Sequence, residues 1–553
     1  MIELPLDRVY HWEKTRPEEV FLTQPTNGVA RDWTWVQTMD EARRVANHLI
    51  AKGWPAGSHI VIYSKNCSWW IIAELAIWMS GHVTVPIYPS LTPQSAQELF
   101  EHCEPAACFI GALDSADLTQ RAGPAGVHLI RFPNAATTDG TSWEEIVKTT
   151  EPLTTNPQRK PDDIATIIYT SGTTGSPKGA IHRFIAFPYW AKAIAQVAGE
   201  SRQRDLSYLP LAHIAERGLT ETTGIYYSWN LFFTESMATF LVDLKRARAT
   251  VFFSVPRLYA KFQQRVFEKI SRQALDRLLG IPLVKTLIVK YIMHQMGFGQ
   301  VAFAASGSAP LSGDLLQWFR ALGLPLTEGY GTTETGITHT APNGESRPGY
   351  AGKSAPGVEV RISAIGEVLL RSPMNMVGYY KNPEETQQAF TEDGFIRTGD
   401  LGEVTTDGWL KITGRIKEQF KTSKGKYVAP SKIEALLSAH PAVENCLVLG
   451  TNLAAPCAVV VLTQEAVQQA STEAARKELE KSFEALLDSV NGRVESHEHL
   501  ALIALVDHHW TIDSGFVTPT LKLKRTPLEA YYGQWIPAWL QQGPRVVWAI
   551  TGQ

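Results

Sequence analysis

The sequence contains few cysteines, and its positive and negative charges nearly balance. Its 553 residues include 5 cysteines, and no two of them stand in a Cys-x-x-Cys pair. That pattern excludes a disulfide framework or a cysteine-rich zinc site, and it predicts a reduced, cytoplasmic compartment. Lysine and arginine number 52 against 55 acidic residues, a formal net charge of -3. With no positive excess to attract phosphate backbones, we expect no nucleic-acid partner.

Long apolar runs are also scarce. The N-terminus lacks the basic segment and apolar run of a secretory signal. Segment 69–86 contains Glu74 and His82, which favours a buried core. Segment 281–296 contains Lys285 and Lys290 and is too short to cross a bilayer. We interpret it as a half-buried amphipathic helix, with a helix lying on the inner face of a membrane as the open alternative. The sequence leaves the oligomeric state open.

Helical and strand patterns alternate over the first four hundred residues. The segment 38–53 has helical periodicity, "HIVIYS" (59–64) is typical of a strand, "WWIIAELAIWMSG" of a helix and "VTVPIYP" (83–89) of another strand. Further short strands are expected at 106–111 and 127–132. This alternation predicts an α/β protein with mainly parallel sheets covered by helices.

The pattern changes after residue 400. Residues 402–415 predict a hairpin with an Asp-Gly turn, and a helix, a strand and a long charged helix follow it. We therefore predict a large N-terminal domain, residues 1–414, and a small α+β C-terminal domain, residues 415–553.

The first chemical motif is "YTSGTTGSPKGA", residues 169–180, directly after an apolar strand pattern. Its glycines let main-chain N–H groups converge, and its hydroxyls add hydrogen-bond donors, as in a phosphate cradle. Pro177 stands where the Walker A spacing from Gly172 requires glycine. The motif therefore predicts a phosphate loop of another kind, with a solvated linker as the less favoured interpretation.

Three further motifs contain groups that suit a nucleotide. "EGYGTTETG" (328–336) nearly matches the dinucleotide fingerprint, but Glu334 replaces its third glycine. In "TGDLGE" and "GRIKEQFK", Asp400 and Arg415 offer a carboxylate and a guanidinium for a ribose or a phosphate. "TPTLKLKR" (518–525) is basic. Each motif alone is equally consistent with a glycine-rich turn or an exposed loop.

Together and in this order, the four motifs resemble the adenylate-forming superfamily. Its members include acyl-CoA synthetases, firefly-type luciferases and peptide-synthetase adenylation domains, and the likeness runs from about Thr34 to Arg525. "VPIYPSLTP", "YLPLAHIAER", "FFSVPRLYAK" and "ASGSAPLS" look most like long-chain fatty acyl-CoA synthetases. The resemblance implies a small barrel-like subdomain in the N-terminal domain and a mobile C-terminal domain. It also implies a two-step reaction: a carboxylate and ATP give acyl-AMP and pyrophosphate, and coenzyme A then gives acyl-CoA and AMP.

The resemblance also assigns expected contacts. Those for the phosphates are Thr170, Ser171, Gly172, Thr173, Thr174, Gly175 and Lys178. Those for adenine and its surroundings are Ser306, Gly307, Ser308, Gly329, Tyr330, Gly331 and Thr332, with Tyr330 stacked on the base. Asp400 and Arg415 would bind the ribose, Thr333 the α-phosphate, and Glu334, with Thr174, the Mg²⁺ ion.

Three more positions complete the expected site. Lys522 matches the adenylation lysine, with Lys524 as its competitor. Lys417 matches the hinge about which the C-terminal domain rotates. His213 matches a position that lines the acyl site, although a lone histidine in an apolar run is as often a core residue. The open alternatives are a ligase that passes its acyl group to a carrier protein, a ligase for medium-chain or aryl acids, and an inactive nucleotide-binding protein.

Overall fold

The computed structural model describes residues 2–114, 127–170, 178–342, 345–511, 514–518 and 522–549. Within these ranges no helix combines the length and apolar character needed to cross a bilayer. The predicted phosphate-loop residues Ser171, Gly172, Thr173, Thr174 and Gly175 lie outside the described residues.

The first sheet has seven strands and ends at the predicted phosphate loop. Across the sheet they are Thr141–Ser142, His128–Arg131, Ala107–Ile110, His59–Tyr63, Val83–Ile87, Ile164–Thr170 and Lys178–Arg183. Neighbours are parallel except for the last two, which form an antiparallel pair. The strands predicted at 59–64, 83–89, 106–111 and 127–132 are therefore confirmed.

Two smaller sheets complete the mainly parallel part. One contains Arg204–Ser207, Asn230–Phe233, Val20–Thr26 and Val29–Thr34, of which only the last pair is antiparallel. The other contains the parallel strands Val251–Ser254, Phe303–Ser306 and Leu326–Glu328. The carboxyl ends of parallel strands share one edge, where ligands of such sheets usually bind.

Helices cover these sheets. They are Pro5–Thr15, Trp35–Ala51, Ser68–Met79, Pro93–Cys103, Trp143–Thr149, Ala186–Ala198, Ile214–Glu216, Thr223–Tyr227, Phe240–Ala247, Pro256–Phe267, Arg272–Leu279, Pro282–Gln295, Gly313–Ala321 and Pro383–Ala389. A π-helical segment, Arg217–Thr222, joins two of them. The sequence explains several starts: Thr34 caps Trp35–Ala51 in a capping box, and Thr92 with Pro93 begins the helix Pro93–Cys103.

A seven-stranded antiparallel sheet follows and contains two of the predicted motifs. Its order is Tyr330–Thr332, Gly336–Thr340, Gly352–Ser354, Trp409–Arg415, Ile396–Val404, Glu367–Arg371 and Glu359–Ile362. Ile396–Val404 and Trp409–Arg415 form the hairpin predicted from the Asp-Gly turn. Along the chain, this sheet lies between the mainly parallel sheets and the C-terminal domain.

The remaining chain forms the smaller C-terminal domain. Its strands are Phe420–Lys421 with Tyr427–Val428, and a sheet of Val443–Leu449, Cys457–Leu462, Leu502–Val506 and Val546–Trp548. Its helices are Pro430–Leu437, Gln464–Gln469, Glu473–Asn491, Arg525–Gly533 and Ile536–Gln541, with short 3₁₀ turns at Ile416–Glu418 and Ser496–Glu498. The large and small domains of the predicted α/β fold are both present.

The core of the N-terminal domain is rich in aromatic side chains. Every residue of the helix Ser68–Met79 is buried, as are Trp33, Trp35 and Trp190. Glu74 on that helix pairs with the equally buried Arg217 of the π-helical segment. Because an isolated buried charge is very costly, this pair ties the central helix to the segment that follows His213.

Candidate active site

The predicted adenine site lies where the chain passes from the parallel sheet of Val251–Ser254, Phe303–Ser306 and Leu326–Glu328 to the antiparallel sheet. Ser306 and Glu328 are paired at the ends of neighbouring parallel strands, and the Gly329 N–H donates to the Ser306 carbonyl at 3.0 Å. Gly307 lies against the Phe253 ring and the Gly329 carbonyl, and Ser308 has a left-handed φ of +66°. The buried Ser306 hydroxyl finds no hydrogen-bond partner among the described residues. The two predicted segments thus form one cradle.

Glycine is required at the turn between Tyr330 and Thr340. A Cβ at Gly331 would lie 2.0 Å from the Gly336 carbonyl oxygen. One at Gly336, which has φ of +68°, would meet the Trp190 ring. The Thr332 N–H donates to the Thr335 hydroxyl at 3.2 Å and tightens the same turn. The motif spacing therefore closes a hairpin that holds Thr333 and Glu334 at its tip.

Asp400 brings two predicted site residues together. It is buried, and it accepts from the Tyr330 hydroxyl at 2.6 Å and from the Arg415 Nε at 2.7 Å. Asp400 and Arg415 are direct partners in the antiparallel hairpin, which fixes their spacing. Burial and the neighbouring Asp400 carboxylate raise the pKa of Tyr330 far above its ordinary value, so its hydroxyl remains a donor.

Glu334 and Lys178 are joined through residues that the motifs did not indicate. The Tyr379 hydroxyl donates to Glu334 at 2.8 Å, and the Lys178 ammonium lies 5.5 Å from the Tyr379 ring. Lys178 itself donates to Glu385 at 2.5 Å. The buried His182 ring lies 2.8 Å from the Thr333 carbonyl oxygen through Nε2. Thr170 lies opposite Lys178 at the end of the antiparallel pair.

Lys522 reaches this site from the C-terminal domain. Its side chain is exposed to solvent, but the protein atoms packed around it lower the pKa of its ammonium, as does the Arg415 charge, while the Glu334 and Asp400 carboxylates oppose the shift. The Lys522 charge therefore interacts with both carboxylates of the N-terminal domain. Lys524 instead precedes the helix Arg525–Gly533, and its main-chain N–H donates to the Phe516 carbonyl.

His213 is the N-terminal cap of the short helix Ile214–Glu216, and its ring interacts electrostatically with Lys522. Its Nδ1 accepts from the Ala215 N–H at 3.1 Å, so the ring caps the short helix that follows. Burial and the Lys522 charge lower the pKa of His213 to about 3. The imidazole is therefore neutral near pH 7.

Lys417 lies in the short 3₁₀ turn Ile416–Glu418, between the hairpin that contains Arg415 and the first strand of the C-terminal domain. Its side chain is exposed. The pKa of Glu385 is lowered mainly by the hydrogen bond from Lys178, and the Lys417 charge adds to this effect. The predicted hinge residue therefore borders the predicted phosphate site.

Family models match both parts of the chain. Residues 9–380 match the model described as AMP-binding enzyme, and residues 417–538 match its C-terminal domain. The chain belongs to the AMP-binding enzyme family.

This AMP-binding enzyme has relatives in plants, bacteria and mammals. It is 29% identical to the peroxisomal long chain acyl-CoA synthetase 6 of Arabidopsis thaliana, covering 92% of this chain and 82% of the relative. It is 28% identical to the long-chain-fatty-acid–CoA ligase FadD15 of Mycobacterium tuberculosis, covering 94% of each. Identity to the mouse (Mus musculus) long-chain-fatty-acid–CoA ligase 5 is 29%, over 90% of this chain and 83% of the relative. Adenylate-forming acyl activation is the shared chemistry, and the predicted superfamily is confirmed.

Solved structures establish the adenylate-forming fold. The adenylation domain of a carboxylate reductase from Mycobacterium chelonae matches with a TM-score of 0.82 at 23% identity, covering 98% of this chain and 91% of that one. The anthranilate CoA ligase AuaEII, solved with anthranoyl-AMP, matches with a TM-score of 0.79 at 22% identity, covering 97% and 98%. The predicted α/β fold class is therefore confirmed.

Sequence reasoning missed four residues that shape the site of this AMP-binding enzyme: Tyr379, Glu385, His182 and Glu328. Tyr379 follows Gly378, and Asn382-Pro383 begins the helix that contains Glu385. Nothing local marks either as a partner of Glu334 or Lys178. Burial raises the pKa of Glu328 to about 7, although it accepts from the Leu311 and Gly349 N–H groups.

Proposed function

We propose that this enzyme activates long-chain fatty acids with ATP and transfers them to coenzyme A. In the first step a carboxylate oxygen attacks the α-phosphorus, and the bond to the departing pyrophosphate breaks. In the second the coenzyme A thiol attacks the acyl carbon, AMP departs with the bridging oxygen, and the thiol proton passes to solvent. The observation that carries the proposal is the hydrogen-bonded group of Tyr330, Asp400 and Arg415, whose charges, together with that of Glu334, act on Lys522 of the other domain.

The first step needs positive charge between two repelling anions. Lys522 supplies it where the carboxylate and the α-phosphate meet, because a fixed donor stabilises charge that develops in the transition state. Thr333, at the hairpin tip, would contact the same phosphate. The neutral His213 ring would line the acyl side, where an uncharged wall suits a chain better than a cation does.

The nucleotide would lie where the parallel strand Leu326–Glu328 is followed by the first strand of the antiparallel sheet, Tyr330–Thr332. Tyr330 would contact adenine, beside the cradle formed by Ser306, Gly307 and Gly329. Asp400 would accept from the ribose hydroxyls, with Arg415 donating beside it. Thr170 and Lys178 would hold the outer phosphates together with Ser171, Gly172, Thr173, Thr174 and Gly175, which lie outside the described residues.

The donor set fits a magnesium ion bound together with the nucleotide. Glu334 offers a carboxylate held by Tyr379, and Mg²⁺ prefers a few carboxylate oxygens completed by phosphate and water. Thr174 would add a hydroxyl. When bound, the ion would neutralise phosphate charge.

We also propose the domain division at residues 414 and 415, with the hinge at Lys417. Arg257 of the N-terminal domain donates to Glu444 of the C-terminal domain at 2.7 Å, and Arg493 lies 3.6 Å from Asp314. These pairs support the arrangement in which Lys522 faces the site. Rotation about the hinge would break them and withdraw Lys522 before coenzyme A attacks.

The choice of a long acyl chain is supported by the relatives' names and by local packing. Tyr208, five residues before His213, stacks on Phe252 with ring centres 6.0 Å apart. Phe252 belongs to an apolar cluster beneath the helices that lie between residues 256 and 295, and Tyr208 packs against this cluster. An apolar cluster beside the site favours an apolar acid.

A panel of acids tests the proposal. AMP release is measured with palmitate, octanoate, benzoate and acetate, each with and without coenzyme A. We expect the fastest release with palmitate, and only when coenzyme A is present. Release unaffected by coenzyme A would support transfer to a carrier instead. Release confined to benzoate or to the shorter acids would overturn the long-chain assignment.

A further inference from the structure

The helix Pro282–Gln295 is apolar on both of its faces. Inward, Ile288, Val289, Ile292 and Met293 pack on the apolar cluster beneath it. Outward, the side chains of Leu283, Leu287 and Tyr291 are 84%, 71% and 65% exposed. Their spacing of four residues puts them on one face, where neighbouring side chains touch. The helix is thus half-buried, as predicted, but the prediction that it is amphipathic is wrong, because it presents an apolar stripe to solvent as well.

The part of the chain that contains this stripe has a surplus of positive charge. Between residues 261 and 294 the chain has seven basic residues and two acidic ones, Glu268 and Asp276. The seven are Lys261, Arg265, Lys269, Arg272, Arg277, Lys285 and Lys290, and all are exposed. Within the described part of the chain none of them forms an ion pair. This local excess stands out in a protein whose net charge is -3.

We propose that this face, residues 261–294, docks on an anionic lipid bilayer. The three outward side chains would insert among the headgroups, and the basic residues around them would contact anionic lipids. Tyr291 has the amphipathic ring that suits the headgroup level, and Lys290 can extend its ammonium to water while its stem lies on lipid. A helix of 14 residues is about 21 Å long, so it lies on the surface rather than crossing it.

The charges favour a membrane over the other partners of an apolar stripe. In a symmetric dimer through this face, the seven basic residues of each copy would approach those of the other, which is costly. An acidic protein would match the charge, but three side chains on a single helix give it little apolar area to bury. A fluid surface of negative headgroups needs no matching shape. The proposal concerns docking and does not depend on which acid the enzyme activates.

Vesicle sedimentation tests the docking directly. The full-length protein is mixed with vesicles of phosphatidylcholine alone or of phosphatidylcholine with phosphatidylglycerol, at low and at high salt. We expect binding to the anionic vesicles to be about tenfold or more tighter than to the zwitterionic ones and to weaken with salt. Absence of binding, or equal binding to both compositions, would overturn the proposal.

Matched variants locate the contact. A triple variant should weaken binding by about tenfold or more, because the apolar insertion is lost. It combines Leu283→Gln, Leu287→Gln and Tyr291→Gln. Arg272→Gln with Arg277→Gln, Lys285→Gln and Lys290→Gln should do the same. The control pairs are Val29→Gln with Ile365→Gln, exposed apolar residues elsewhere, and Lys477→Gln with Lys481→Gln on another helix. Both controls should bind as wild type does.

Two further measurements separate loss of binding from loss of folding, and a membrane site from a site for an acidic protein. Circular dichroism and thermal unfolding report whether each variant is folded, and Leu283→Gln alone, at the most exposed position, serves if the triple variant is not. Poly-glutamate is added as a soluble acidic competitor. If the apolar variants bind vesicles as wild type does and poly-glutamate removes binding completely, the face is a site for an acidic protein and the membrane proposal is wrong.

Discussion

At the scale of single residues, the Asp400 side chain connects Tyr330 and Arg415, which lie on two different strands. Its two oxygens accept from Tyr330 at 2.6 Å and from Arg415 at 2.7 Å, and its own backbone is paired with that of Arg415. The carboxylate is buried, while the Arg415 side chain stays 42% exposed and accessible to a ligand. The polar groups proposed to bind the ribose are thus oriented by protein contacts alone.

Asp400→Ala should therefore weaken nucleotide binding. The change removes a charged acceptor and leaves Tyr330 and Arg415 without their partner. Because hydrogen bonds to charged groups contribute about 1.5–3 kcal/mol, we expect KM for ATP to rise about 10- to 100-fold. Asp407→Ala, in the exposed turn of the same hairpin, should leave KM unchanged. Steady-state kinetics over ATP concentration measures both, and an unchanged KM in the Asp400 variant would contradict the assignment.

Glu328 links the site to pH. Burial raises its pKa from 4.5 to about 7, so between these values the folded protein holds a proton that the unfolded chain has released. The contribution of this group to stability is therefore present below about pH 4.5 and is lost as the pH rises towards 7. Glu328→Gln, which cannot ionise, should gain stability relative to wild type across that window. Denaturant unfolding at pH 5 and pH 8 measures the difference, and parallel pH profiles of the two proteins would contradict it.

At the scale of elements, the hairpin that begins at Tyr330 depends on contact between two glycines. Gly331→Ala would force a methyl group against the Gly336 carbonyl oxygen, which lies 2.0 Å from the ideal Cβ position. We expect the hairpin to open, with adenylation falling at least about 100-fold because Thr333 and Glu334 move. Gly533→Ala, at a helix end with open space around it, should be neutral. Pyrophosphate-exchange assays compare the two, and near wild-type activity of Gly331→Ala would contradict this account.

The elements themselves were largely predictable, because they depend on local patterns. Periodicity indicated the helix Trp35–Ala51, and the Asp-Gly turn indicated the hairpin that ends at Arg415. The contacts between elements were not. Lys178 and Glu385 are 207 residues apart, and no local pattern records that the fold joins them. The same holds for Tyr379 and Glu334, since a tyrosine beside a turn is as often simple packing.

At the scale of the whole molecule, the proposed site is shared between the two domains. Thr170, Glu334 and Asp400 come from the large domain, and Lys522 comes from the small one. The ion pair between Arg257 and Glu444 joins the domains in the arrangement that brings Lys522 to the cleft. Exposed ion pairs contribute little, about 0–1 kcal/mol, so such a contact can hold one arrangement without preventing another. This weakness suits a domain that is proposed to rotate between two chemical steps.

The central claim is that Lys522 supplies the charge for adenylation, and pyrophosphate exchange with palmitate tests it most directly. Lys522→Ala should slow the exchange about 100- to 1000-fold, the usual loss for one well-placed donor. Lys524→Ala should stay near the wild-type rate, and transfer from supplied palmitoyl-AMP to coenzyme A should persist in Lys522→Ala. Near wild-type exchange in Lys522→Ala, or the loss appearing in Lys524→Ala instead, would contradict the account.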